Sequence, residues 1–175
     1  GMHHFRDPKV WREGDSWYMI VGAREGDTGQ VRLYRSTDLR QWQDAGVLDE
    51  AESTMGYMWE CPDFFTLNGK RVLMFSPQGM QAEGFRNRNL FQSGYLIGEW
   101  QPGQRFIRHG EFREMDHGHD FYAPQSFATP DGRRIVIGWL DMWESPLPEQ
   151  QDGWAGMLSL PRELSLSADG RLQMR

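Results

Sequence analysis

The sequence predicts an all-β protein assembled from propeller blades, about three of them, each a four-stranded antiparallel sheet. Three observations carry this reading. One layout repeats three times along the 175 residues. Each repeat holds about four short segments of period-2 alternation, separated by Gly, Pro and Asp turns. No apolar periodicity of 3.6 residues persists for long. A β-sandwich also accommodates short strands, but it leaves the repeated opening unexplained.

The first repeat, about residues 5–49, opens at Arg6-Asp7-Pro8-Lys9-Val10-Trp11. A turn at Glu13-Gly14-Asp15 leads into Trp17–Val21, with further strands at Val31–Ser36 and Trp42–Leu48. Ser36-Thr37-Asp38-Leu39 reads as a polar turn between outer strands. The second repeat, about residues 57–113, opens at Glu60-Cys61-Pro62-Asp63-Phe64-Phe65. It turns at Asn68-Gly69, a strong hairpin signal, and continues as Arg71–Phe75, Gln92–Trp100 and Phe106–Phe112. The third, about residues 118–175, opens at Asp120-Phe121-Tyr122-Ala123-Pro124-Gln125. It turns at Pro130-Asp131-Gly132 and continues as Arg134–Trp139, Met157–Leu160 and Leu164–Leu166.

Composition narrows the function. The net charge is −6 and no basic stripe is visible, which argues against a nucleic-acid reader. No apolar run is long enough to cross a membrane as a helix, and the N-terminus carries no signal-peptide pattern. The single cysteine, Cys61, excludes an intrachain disulfide and fits a reducing, cytoplasmic setting. Eight tryptophans are many for 175 residues. Such rings suit sugar stacking, but most of them are expected to fill a β core.

Each repeat opens with an acid near a proline: Asp7, Glu60 and Asp120, spaced 53 and 60 residues apart. Inner strands of a propeller line one channel, so the three carboxylates are expected to meet there. A residue before proline is pushed toward an extended conformation, which suits a strand start. Clustered carboxylates near aromatic rings are what glycoside hydrolysis requires. One carboxyl protonates the leaving oxygen, and another attacks the anomeric carbon or activates water. Like charges and burial raise one pKa enough to keep that proton. Acids at strand starts also cap turns, and three in register make that the weaker reading.

At these motifs the sequence resembles family 32 of the glycoside hydrolases. The resemblance rests on Phe5-Arg6-Asp7-Pro8, Trp59-Glu60-Cys61-Pro62-Asp63 and Asp120-Phe121-Tyr122-Ala123-Pro124-Gln125. Ser76-Pro77-Gln78-Gly79, Gly138-Trp139 and Leu160-Pro161-Arg162-Glu163-Leu164 extend it over nearly the whole chain. The long form Gly56-Tyr57-Met58-Trp59-Glu60-Cys61-Pro62 is most similar to bacterial sucrose or sucrose-6-phosphate hydrolases.

The resemblance implies a five-bladed propeller and cleavage of β-fructofuranosidic bonds. It makes Glu60 the general acid/base and Asp7 the transition-state stabiliser. Arg6, Trp59, Asp120 and Tyr122 would bind the sugar or fix the groups around it, with Cys61 tuning Glu60. The family carries its nucleophile in an Asn-Asp-Pro-Asn motif; here the only Asp-Pro is Asp7-Pro8. The chain is therefore expected to lack the first two blades, the nucleophile and the C-terminal β-sandwich, to be inactive alone, and to self-associate through uncovered blade faces. A related glycosidase acting on arabinosyl or xylosyl linkages, and a non-catalytic sugar-binding piece, stay open as alternatives.

Other signals are weaker. His3-His4 and His117-Gly118-His119 lack a third metal ligand, so no metal or cofactor is expected. No Cys-His-Asn pattern supports Cys61 as a nucleophile. Arg86-Asn87-Arg88-Asn89 reads as a polar loop, and Met74, Met80, Met142 and Met157 as core or loop filler.

Overall fold

Alternating, turn-bounded segments leave each sheet with apolar residues on both faces, so the sheets must stack on one another. The computed structural model describes residues 2–52 and 54–175 and shows that stack. Blade 1 runs in spatial order through β1 (His4–Glu13), β2 (Ser16–Glu25), β3 (Thr28–Ser36) and β4 (Gln43–Glu50). Blade 2 runs through β5 (Met58–Leu67), β6 (Lys70–Gln78) and β7 (Gly94–Glu99). Its outer edge is shared by β8 (Ile107–Arg108) and β9 (Arg113–Glu114), both paired with β7. Blade 3 runs through β10 (Tyr122–Ala128) and β11 (Arg134–Leu140). There β12 (Met157–Leu158) and β13 (Arg162–Leu166) both pair with β11, and β14 (Leu172–Met174) closes the edge on β13. These are blades of a five-bladed β-propeller. No helix among the described residues is long and apolar enough to cross a membrane.

The turn chemistry acts where the sequence places it. Asn68 and Gly69 both have positive φ, 46° and 76°, as a two-residue hairpin of the right twist requires. At the polar turn after β3, the Ser36 hydroxyl accepts the amides of Asp38 and Leu39, and the Asp38 carboxylate accepts those of Arg40 and Gln41.

One strand differs from expectation. The run Phe106–Phe112 is not continuous; it breaks into β8 and β9 around Gly110, whose φ is 107°. Phe106 and Phe112 leave the edge and lie on β7, above Gly98 and Gly94. A Cβ at either glycine would come within 2.7 Å of the ring over it. The missing side chains of β7 make the room that bends the outer edge inward. The sequence reading also missed β14.

The core sits between blades and explains the strand patterns. On β6, Leu73 and Phe75 face blade 1, packing with Ile20, Val31, Leu48 and Trp59. The alternate residues Val72 and Met74 face blade 3, packing with Phe121, Val136 and Leu164. A middle blade buries both faces, so its strands read as continuous apolar runs. Each such side chain contributes about 1.5–3 kcal/mol of burial. Blade 1 approaches β5 closely through two glycines. A Cβ on Gly22 would sit 2.2 Å from the Trp59 carbonyl, and one on Gly29 2.6 Å from its indole.

The three inner strands share one irregularity. In β1, two residues, Asp7 and Pro8, lie between the paired positions Arg6↔Gly22 and Lys9↔Ile20, opposite the single residue Val21. In β5, Cys61 and Pro62 do the same between Glu60↔Ser76 and Asp63↔Met74. In β10, Ala123 and Pro124 do so between Tyr122↔Trp139 and Gln125↔Ile137. Each is a two-against-one bulge. The residues before proline are left-handed, not extended, with φ of 64° at Asp7, 48° at Cys61 and 50° at Ala123. The prolines stand inside strands, where the bulge leaves their missing N–H unmissed. Side chains alternate faces along a regular strand. The extra residue makes positions three apart share a face. Arg6 and Lys9, Glu60 and Asp63, and Tyr122 and Gln125 can then all point into the channel.

Candidate active site

The bulges define which residues are equivalent. Aligned on their prolines, Arg6, Glu60 and Tyr122 occupy one position of the three blades, and Asp7, Cys61 and Ala123 the next. This corrects the expectation that Asp7, Glu60 and Asp120 stand in register. Asp120 precedes β10, and its carboxylate meets His119 Nδ1 at 2.6 Å. The structure shows no hydrogen bond or ion pair from Asp120 to Glu60.

Glu60 is the hub. Its residue is 8 % exposed. Arg6 donates twice to Oε1, from Nε at 2.8 Å and from Nη2 at 2.6 Å. The Tyr122 hydroxyl donates to Oε2. Burial, and then the Glu60 carboxylate it faces, push the Tyr122 phenol above its ordinary value, so it stays a donor. His4 Nδ1 lies 2.8 Å from Arg6 Nη1 and steadies the guanidinium from its other edge. Charge-assisted bonds on both oxygens hold one rotamer of Glu60.

Asp7 lies beside it. Its Oδ2 accepts the Cys61 amide at 2.9 Å and faces the Cys61 sulfur at 3.5 Å. The left-handed turn at Cys61 aims that N–H at blade 1. The Cys61 carbonyl in turn accepts Gln125 Nε2 from blade 3, at 2.9 Å. Burial, and then the Asp7 charge, push the Cys61 thiol well above the usual range. A thiol is thus held against Asp7, and a thiolate nucleophile is disfavoured.

The raised thiol pKa has a measurable consequence. Iodoacetamide is expected to alkylate Cys61 at pH 8 at least about tenfold more slowly than in the urea-unfolded chain. Its protonated form is favoured by folding, so this contribution is fully present below the unfolded pKa, about 8.5. It is lost as pH rises beyond that. Thermal midpoints measured from pH 7 to 10 are expected to fall above about pH 8.5, and Cys61→Ser is expected to lessen the fall. Equal labelling rates in folded and unfolded chains would contradict the assignment.

Trp59 does not border the cavity. It is fully buried, stacked on Phe75 at 4.0 Å, and its indole N–H is taken by the Met55 carbonyl at 2.8 Å. Strand alternation turns it to the face opposite Glu60, into the seam between blades 1 and 2. Its role is packing.

A second polar layer lies one bulge deeper and was not foreseen. The Asp63 carboxylate is fully buried. It accepts the Ser126 amide at 2.7 Å and hydroxyl at 2.6 Å, and it pairs with Arg134 at 3.2 Å and Lys9 at 3.4 Å. Lys9 also donates to Gln125 Oε1 at 3.2 Å and to the Ser126 carbonyl at 2.7 Å. The signal was the constant three-residue step after each bulge, from Arg6 to Lys9, Glu60 to Asp63 and Tyr122 to Gln125. Among the described residues, no group of three or more His, Cys, Asp or Glu is arranged to hold a metal ion.

Comparison with known proteins places this geometry. The family model described as the glycosyl hydrolases family 32 N-terminal domain matches residues 1–175. The chain is 60% identical to a sucrose-6-phosphate hydrolase of Escherichia coli, over all of this chain and 37% of that protein. It is 56% identical to a raffinose invertase of Escherichia coli, with the same coverage. Among solved structures, the Bombyx mori GH32 β-fructofuranosidase superposes with a TM-score of 0.95 at 46% identity, over 99% of this chain and 37% of that one. The sucrose-6-phosphate hydrolase from Lactobacillus gasseri gives 0.90 at 31% identity, over 98% and 36%. The chain thus spans little more than a third of the length of these relatives. With Arg-Asp-Pro, Glu-Cys-Pro and Tyr-Ala-Pro bulges on successive inner strands and a family model matched end to end, the chain belongs to glycoside hydrolase family 32.

Proposed function

We propose that this chain supplies the acid/base and the transition-state-stabilising carboxylate of a retaining β-fructofuranosidase that acts on sucrose or sucrose 6-phosphate. One observation carries the reading: Glu60 is nearly buried, gripped on both oxygens by Arg6 and Tyr122, with Asp7 held beside it by Cys61. Glu60 would protonate the glycosidic oxygen as the bond to the fructosyl carbon breaks. As a carboxylate, it would then take a proton from the water that releases fructose. Asp7 would accept hydrogen bonds from ring hydroxyls and stabilise charge at the anomeric carbon. Arg6 would steer and neutralise Glu60 between the two steps. The names of the relatives, hydrolases of sucrose 6-phosphate and an invertase of raffinose, favour fructosyl over arabinosyl or xylosyl substrates. The unpaired Cys61 is compatible with a cytoplasmic setting.

Retaining hydrolysis also needs a nucleophilic carboxylate. This sequence holds no Asn-Asp-Pro-Asn, so the isolated chain is expected to be inert. The test is a pair of assays. The purified chain is expected to release no glucose from sucrose. A chimera in which it replaces the aligned 176 residues of the Escherichia coli sucrose-6-phosphate hydrolase is expected to be active on sucrose, sucrose 6-phosphate or both. Turnover by the isolated chain would show that another group supplies the nucleophile. A folded but inert chimera would favour a non-catalytic sugar-binding role.

The isolated chain is also expected to self-associate. Phe5 and Val10 of β1 are about half exposed, and Leu158 and Leu160 of blade 3 are 70% and 83% exposed. Apolar groups on uncovered sheet faces drive association. Light scattering is expected to give at least a dimer mass at micromolar concentration, and a constant monomer mass would sink the idea.

A further inference from the structure

The inner strands β1, β5 and β10 belong to three separate sheets, and β5 lies between the other two. Among the described residues, Lys9 alone hydrogen-bonds from β1 to β10, through Gln125 Oε1 and the Ser126 carbonyl. It does so at the channel position shared by Asp63 and Gln125, and touches both. One bulge away, at the position shared by Arg6, Glu60 and Tyr122, the Glu60 carboxylate is gripped from β1 on one oxygen and from β10 on the other. That two-sided grip requires a set distance between blades 1 and 3. Hydrogen bonds within a sheet cannot supply it.

We propose that Lys9 is a positioning residue for Glu60. It ties β1 to β10 beneath the site, so that Arg6 and Tyr122 reach opposite oxygens of one carboxylate together. The proposal rests on the reading of Glu60 as the acid/base, but its geometry stands without turnover. Asp63 keeps Lys9 in place: its carboxylate is fully buried, and its other bonds go to Ser126 and Arg134 of blade 3. The ammonium is thereby drawn toward blade 3 from a strand of blade 1. A side chain of this length without charge would reach the same place but form neither link. The bulge at Asp7-Pro8 is what lets Lys9 and Arg6 share a face. That one bulge within β1 thus couples the tie to the layer of Arg6 and Glu60.

The test reads protons rather than catalysis, so it separates this proposal from the functional one. In the isotope-labelled chain, the Tyr122 hydroxyl and Arg6 Nε protons are expected to give downfield, slowly exchanging NMR signals. Glu60→Gln assigns them by shifting both. In Lys9→Met, both protons are expected to exchange with water about tenfold faster, the scale of one net hydrogen bond. The strand amides of β6 and β11 are expected to keep their protection. Gln125→Met, which removes one of the two links from Lys9 to β10 together with the Gln125 bond to the Cys61 carbonyl, is expected to give a smaller change in the same direction. Lys9→Arg, which keeps a donor and charge, is expected to recover part of the loss. Unchanged exchange in Lys9→Met and Gln125→Met overturns the proposal. So does absence of both signals from the unmodified chain. Loss of β6 and β11 protection alongside the site in both variants would overturn it too, because Lys9 would then be bearing the fold rather than the site.

Discussion

Glu60→Gln in the active chimera is expected to lower kcat on sucrose by about 10²–10⁴-fold, the usual worth of a positioned general acid/base. The substitution keeps the shape of the side chain and removes its proton chemistry. The amide cannot protonate the leaving oxygen in the first step or accept a proton from water in the second. It also places an NH₂ against either the Arg6 donors or the Tyr122 hydroxyl, where two acceptors now stand. A fructoside with a nitrophenol leaving group needs little protonation, so its first step is expected to lose far less. The measurement is steady-state kinetics on both substrates with a thermal-unfolding control. A loss under about tenfold on sucrose, in a folded variant, would remove Glu60 from the acid/base role.

Asp63→Ala is expected to cost about 3–5 kcal/mol of folding stability, the usual price of breaking a buried ion pair from one side. The carboxylate is fully buried and serves four bonds at once. Without it, the Ser126 amide and hydroxyl lose their acceptor, and Arg134 and Lys9 become partly buried cations with no counter-charge. Burial already pulls the Arg134 guanidinium below its ordinary value, with Asp63 pushing it back. Asp63 thus offsets part of the desolvation of Arg134, and its removal leaves that cost unopposed. A small domain holds about 5–15 kcal/mol in total, so the variant is expected to be near unfolding at 37 °C. In urea, with a slope of about 2 kcal/mol/M, the midpoint is expected to drop by about 2 M. Asp63→Asn keeps an acceptor for Ser126 and is expected to lose less. A midpoint within about 0.5 M of the parent chain would show that water replaces the carboxylate easily.

The legible part of the site was its residue types, and the illegible part was their register. Glu60 and Asp7 stood out because carboxylates sit near prolines at repeated openings, whereas Arg6, Cys61 and Tyr122 came in through the resemblance to family 32. Matching acid to acid put Asp120 in the set, although Asp7, Glu60 and Asp120 stand one, two and four residues before their prolines and so fall at different strand positions. Matching proline to proline, Pro8 to Pro62 to Pro124, yields the observed equivalence and brings in Lys9, Asp63 and Gln125. Trp59 misled for a related reason. Its neighbour Glu60 faces the channel, so a regular strand must turn Trp59 the other way, into the seam between blades.

By itself the sequence determined the class of the fold, the three-blade layout and the hairpin at Asn68-Gly69. These depend on local alternation, on glycine and asparagine tolerating positive φ, and on proline having no N–H. They are properties of a few consecutive residues. Only the tertiary structure decided which side chains meet. Arg6, Glu60 and Tyr122 lie 54 and 62 positions apart, and they converge because three separate sheets pack with their inner strands around one channel. The left-handed turns at Asp7, Cys61 and Ala123, against the usual preference of a residue before proline, are likewise held by that packing. Glu60, Cys61 and Ala123 find their partners on other blades. No local energy term contains those partners.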